Sequence, residues 1–162
     1  MLKKSPVANY QSLITKRGFT LIELLVVISI IGILAGLTLS SYSGAQKQAR
    51  DSQRRSDLNQ YRNALEVYAG ANNLKYPGYN NGVSSTTLCG QLSAVMSSCP
   101  ADPLTTQSYY YRSDGVDNTG DATATQYILW ATLETGGCWE VCSNGKTGKV
   151  PTPPTSSGCT LP

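Results

Sequence analysis

The side chains able to do chemistry fall into three groups: five cysteines, three aspartates in one short stretch, and a lone glutamate inside an apolar run. The chain has no histidine, which removes Ser-His-Asp and Cys-His catalysis and imidazole-based metal sites. Cys89, Cys99, Cys138, Cys142 and Cys159 contain no C-x₂-C pair, so thiolate zinc sites are disfavoured and disulfides are the expected chemistry. Ser113–Asp121 carries Asp114, Asp117 and Asp121 with two glycines. Carboxylates on a tight loop can ligate calcium, which takes six to eight oxygens. The spacing is not that of an EF-hand, and Asp and Gly are also ordinary turn residues, so a calcium loop and a plain turn both stand.

The lone glutamate, Glu23, lies in Phe19–Leu39, a 21-residue apolar stretch. As a helix this stretch spans about 32 Å, the thickness of a bilayer core. Lys3, Lys4, Lys16 and Arg17 precede it, which places the N-terminus in the cytoplasm and the remainder outside, where cysteines oxidise. The formal charge of +3 comes from 13 basic and 10 acidic residues, and residues 1–18 hold four of the basic ones. Direct nucleic-acid binding is therefore not indicated. Two plainer readings are a secretory signal peptide cut after Ala45 and a single-pass anchor with no role for Glu23; the apolar run is long for the first.

The stretch Lys16-Arg17-Gly18-Phe19-Thr20-Leu21-Ile22-Glu23-Leu24 resembles the N-terminal signal of type IV pilins and type II secretion pseudopilins. The resemblance implies cleavage between Gly18 and Phe19 by a prepilin peptidase and N-methylation of Phe19, the only phenylalanine. Glu23 matches the family's fifth mature residue, which implies pairing with the new α-amino group during assembly. Gly32 matches a family glycine, whereas Ser40 stands where many members have proline. The implied fold is α+β: a long N-terminal helix whose outer half packs on a small antiparallel sheet. Some family members hold calcium in a loop of the β-region.

The helical pattern continues beyond the apolar run. Leu58, Tyr61, Leu65 and Tyr68 form an amphipathic stripe, with Lys47, Arg50, Asp51, Arg54, Arg55, Asp57, Arg62 and Glu66 expected on the solvated face. One helix from about Phe19 to Gly70 follows, stopped by Asn72-Asn73 and Pro77-Gly78. A short helix is expected near Gln91–Met96, with extended segments at Ser108–Arg112, Gln126–Glu134, Cys138–Cys142 and Lys146–Val150. Asn144-Gly145 joins the last two as a hairpin. The Tyr109–Tyr111 run reads as a strand with aromatic cross-strand partners rather than as an adhesive surface.

Cys89 and Cys99 flank the short helix and form the natural local pair. In a strand Cys138 and Cys142 lie about 13 Å apart, beyond disulfide reach, so Cys159 in the tail has either as partner, Cys142 preferred. The expected organisation is a leader at 1–18, a membrane and assembly segment at 19–42, an amphipathic outer helix at 43–75, a head at 76–150 and a Pro/Thr/Ser tail at 151–162.

No catalytic constellation is visible, and the reading is structural: a prepilin of a type IV pilus-like filament, with a type II secretion pseudopilin as the alternative. A monomeric surface protein and a secreted calcium-binding module are more distant readings. Implied partners are the prepilin peptidase, like subunits in a helical homo- or hetero-filament, an inner-membrane assembly platform and the lipid bilayer. The implied location is the cytoplasmic membrane and then an extracellular filament or pseudopilus.

Overall fold

A computed structural model describes residues 18–161, with the side chains of 38–41 left aside; all of the expected leader, 1–18, except Gly18 lies outside the described residues. The chain divides into two compact units, Met1–Ser41 and Tyr42–Pro162. Helix α1, Leu21–Ala71, contributes to both. No single helix among the described residues is by itself long and apolar enough to cross a membrane; Leu21–Leu37 and Tyr42–Ala71 meet that requirement only together.

In the first unit every described side chain of the apolar run is exposed, from Phe19 through Leu37. The run has no polar face to turn outward, so it offers no pattern by which this unit could bury it.

In the second unit the stripe does its work. Leu58, Tyr61, Ala64 and Leu65 are buried against Tyr109, Tyr111, Tyr127, Leu129 and Val141 of the sheet. After α1 come β1 (Tyr76–Pro77), β2 (Val83–Ser84), α2 (Ser85–Gln91), β3 (Tyr110–Ser113), β4 (Ala122–Ala124), β5 (Tyr127–Thr132), β6 (Cys138–Cys142) and β7 (Thr147–Val150). The main sheet is antiparallel in the order β2-β3-β5-β6-β7, while β1 pairs separately with β4. Residues of β5 alternate: Tyr127, Leu129 and Ala131 face the helix core, and Ile128 and Trp130 face a second cluster with Cys138, Cys142, Val150, Cys159 and Leu161. The C-terminal tail therefore covers the outer face of the sheet.

The short helix begins six residues earlier than expected. Ser84-Ser85-Thr86-Thr87 supplies residues that favour a helix start, and the buried pair Leu88 and Leu92 gives it an inner face. Beyond Gln91 only turns follow, held by Val95 and Met96 amides on the Leu92 carbonyl. At the β6–β7 turn, Gly145 takes φ +88°, a conformation open to glycine, and the Asn144 side chain accepts from the Lys146 amide. Tyr110 of β3 sits opposite Trp130 and stacks on it, ring centroids 5.5 Å apart.

Candidate functional site

At the N-terminal motif, the Gly18–Phe19 peptide bond precedes the first helical residue, Leu21. Nothing lies within 4 Å of the space a Cβ on Gly18 would fill, and Phe19 is 89% exposed. The bond is therefore accessible and lies outside the helix. Glu23 is engaged locally. Its carboxylate accepts from the Thr20 amide and hydroxyl, both at 2.8 Å, while the Glu23 amide donates back to Thr20 Oγ1 at 3.3 Å. This is a reciprocal helix cap of the form T-x-x-E, with the acid also at the positive end of the helix. The signal was legible in Thr20-Leu21-Ile22-Glu23, but from sequence Glu23 is expected as a charge to be paired or left without a role, not as a helix cap.

The cysteines form two bridges. Cys89 joins Cys99 across the end of α2, and Cys142 joins Cys159, which fastens the tail to β6. Cys138 is a free, buried thiol whose pKa burial raises, with Thr132 opposing. Glu140, between Cys138 and Cys142 on the same face, is fully buried; Thr160 donates to it through both its amide and its hydroxyl. Glu140 Oε1 also lies 3.0 Å from Cys142 Sγ, a contact and not a hydrogen bond, because a disulfide sulfur carries no proton. Glu140, Cys142 and Cys159 are spaced like metal ligands, but the bridge occupies both sulfurs.

The three aspartates of the 113–121 loop are not gathered within mutual metal-ligand reach. The Asp114 carboxylate accepts from the Thr125 hydroxyl and from the Thr125 and Gln126 amides, bracing the approach to β5. Burial alone would raise its pKa, yet these donors bring it below the usual value. The Asp121 carboxylate accepts from Thr119 Oγ1. Asp117 differs: its Oδ1 is buried with no donor. A Cβ on Gly78 would lie 2.3 Å from Thr123 Oγ1, 2.7 Å from Asp117 Oδ1 and 3.3 Å from the Asp121 carbonyl, so these three oxygens crowd one α-carbon. An orphaned carboxylate oxygen beside a carbonyl and a hydroxyl is a donor set of the kind a hard cation takes. Gly78 is what permits the approach.

The largest departure from the sequence reading is on α1. Arg54, Asp51 and Asp57 were expected on the wet face and are buried. Arg54 donates to Asp102 at 2.7 and 2.8 Å, to Asp51 at 2.7 Å and to Glu134 at 3.0 Å. Arg50 forms a bidentate pair with Glu134, both contacts 2.6 Å. Asp51 in turn accepts from the Glu134 amide and from the Thr135 amide and hydroxyl. The Arg50 guanidinium, aided by Arg54 and opposed by burial, holds the Glu134 carboxyl down at about 2. Hydrogen bonding to Asp102 keeps Arg54 firmly charged despite its burial. Asp57 accepts from the Tyr109 hydroxyl at 2.6 Å; burial first, then this bond, pushes the tyrosine pKa well above its usual value. Partners this far away in sequence leave no trace in helical periodicity.

Residues 15–39 match the family described as the prokaryotic N-terminal methylation motif. The type II secretion system core protein G of Escherichia coli K12 is 41% identical over 70 residues, covering 43% of this chain and 48% of that protein. Its counterpart in Pectobacterium carotovorum is 34% identical over 92 residues, 57% of this chain and 58% of the relative. That of Aeromonas hydrophila is 40% identical over 68 residues, 42% and 47%. The chain thus spans about half the length of the curated relatives it matches. No solved structure matches. Motif, α+β architecture and relatives agree, and together they support the family of type IV pilins and type II secretion pseudopilins, whose N-terminal methylation motif this chain carries at residues 15–39.

Proposed function

We propose that this chain is a pseudopilin-type structural subunit, cut between Gly18 and Phe19, methylated on Phe19 and assembled through its apolar helix into a type II secretion pseudopilus. The observation that carries the secretion reading is alignment length. The motif occupies 25 residues, 15–39, whereas identity to the core G proteins extends over 68 to 92. Similarity confined to the motif would favour pilus and pseudopilus alike; similarity to the core G proteins over a length well beyond the motif favours the pseudopilus over the type IV pilus expected first.

In this reading the peptidase acts at the inner membrane, where Phe19–Leu39 crosses the bilayer with the head outside. The exposed apolar side chains then exchange lipid for neighbouring helices in a filament, and Glu23 pairs with the methylated amine of Phe19. An ionised carboxylate in lipid costs a few kcal/mol unless it finds such a partner. Within the head, Asp117 with Asp121 and Thr123 is the place for a calcium ion, which would satisfy the orphaned Asp117 oxygen. Calcium there would hold the 113–121 loop against Gly78.

Intact mass and N-terminal sequencing of membrane-extracted protein test the processing. The expected mature chain begins at methylated Phe19. A chain beginning at Gln46, or one left whole, overturns the reading. Long surface fibres formed without any secretion apparatus would return the assignment to the pilus.

A further inference from the structure

Arg50 and Arg54 consume the acids around them, and Arg55 is left over. Its guanidinium lies 4.5 Å above the ring centre of Trp139. Arg55 Nε and Trp139 Nε1 are both buried donors with no acceptor. Lys149 stands opposite Trp139 on β7, and its ammonium reaches a backbone carbonyl, that of Thr135, at 3.4 Å. Among the described residues neither Arg55 nor Lys149 has an ion pair, since Asp51, Asp102 and Glu134 are held by Arg50 and Arg54. Beside them opens a cavity of about 410 Å³ lined by Gln48, Asp51, Ser52, Arg55 and Thr135. An acceptor-bearing group is what this place lacks.

The complementary surface is at the other end of the head. The Asp121 carbonyl accepts from the Gly78 amide at 2.8 Å, which ties the 113–121 loop to the chain just past the end of α1. Arg55 lies 16 residues before Ala71, about 24 Å along the helix. The loop carries three acids, and no lysine or arginine occurs between Arg112 and Lys146. At its tip Val116 is 85% exposed, with an aspartate on either side, Asp114 two residues before and Asp117 next. The acidic flanks of Val116 and the cations beside the cavity are complementary in charge.

We infer that Val116 of one copy docks into the cavity beside Arg55 and Lys149 of the next, with the exposed side chains of Asp114 and Asp121 facing the two cations. The inference rests on the filament reading and deepens it by naming both surfaces. Because knob and cavity lie at opposite ends of one head, the contact is head-to-tail and propagates into an open fibre instead of closing as a dimer. A calcium ion in the loop would leave it one net negative charge, still of the right sign.

The test uses the full chain assembled into fibres with its peptidase and assembly machinery. Ser52→Cys on the cavity rim and Val116→Cys at the loop tip are both at exposed positions. The doubly substituted chain, treated with a short thiol crosslinker, is expected to give a ladder of multimers about tenfold above either single variant. Adding Arg55→Glu should cut that ladder severely. Leu74→Cys, exposed at the loop's own end of the head, serves with Val116→Cys as the mismatched pair and should give no ladder. Normal fibres in which Ser52→Cys and Val116→Cys crosslink no better than the mismatched pair overturn the contact and leave the filament reading intact. Ser52→Cys crosslinking instead to a different protein also overturns it. Absence of fibres from the wild-type chain overturns both.

Discussion

The two ends of α1 obey different rules. From Leu21 to Leu37 the helix is apolar apart from Glu23 and a few small polar residues, and its side chains are exposed on every side. From Asp51 onward the same helix is sorted side by side: Leu58, Tyr61 and Leu65 inward, Arg54 inward with its own acids, Asn59 and Gln60 outward. A helix half without an interior face is specified by what surrounds it, whereas a half with one is specified by its own chain. In the proposed filament the first half would govern assembly and the second stability, and changes in either should leave the other property nearly untouched.

The sharpest way to break this division is at Glu23. Glu23→Ala should leave membrane insertion, cleavage and head melting unchanged while filament formation is lost, read by electron microscopy beside a blot for processed protein. Glu23→Gln sharpens the point, because glutamine also serves at that position of a helix cap. If Glu23→Gln assembles normally, the cap at Thr20 is what matters and charge pairing is not.

On the other side, Arg54→Met should destabilise the head by about 3–5 kcal/mol, since it strands buried carboxylates on Asp51 and Asp102. Denaturant melts of the detergent-solubilised chain measure this, with processing at Gly18 as the property expected not to change. Replacing Cys142 and Cys159 by serine should cost about 3 kcal/mol, the value for a loop of this length, and should free the tail to proteolysis.

Acid should lower the stability of the second unit. The Glu134 carboxyl sits at about 2 in the folded head against an ordinary value near 4.5. Its pKa is depressed on folding, so its contribution is complete above the ordinary value and declines as pH falls from about 4.5 towards about 2. Head melting should fall through that window, and Glu134→Gln should flatten the dependence. The smallest effect concerns calcium: millimolar calcium should raise the melting temperature of the full chain by a few degrees, and Asp117→Asn should abolish the rise.

What was legible in the sequence follows the same division. Periodicity announced α1 to within two residues, and alternation announced β5, because both patterns are written in consecutive residues. Strands β1, β2 and β4, two or three residues each, were missed: pairs such as Tyr76 with Ala124 exist only once the fold has formed. Arg54 misled for a related reason. A lone arginine beside an aspartate three residues away reads as surface charge, and nothing near it in sequence announces Asp102 or Glu134. The motif around Gly18, Phe19 and Glu23 was readable at once because all of its parts are adjacent.

The clasp between α1 and the head also has a mechanical meaning. Eight hydrogen bonds run from Arg50, Asp51 and Arg54 to Asp102, Glu134 and Thr135. Sliding the helix by a single residue moves it about 1.5 Å, enough to stretch them out of range together and not in succession. Bonds loaded in parallel share a shear force where bonds in series would unzip under it. A pull along the outer half of α1 is therefore met by the whole cluster at once, and the head moves with that half of the helix.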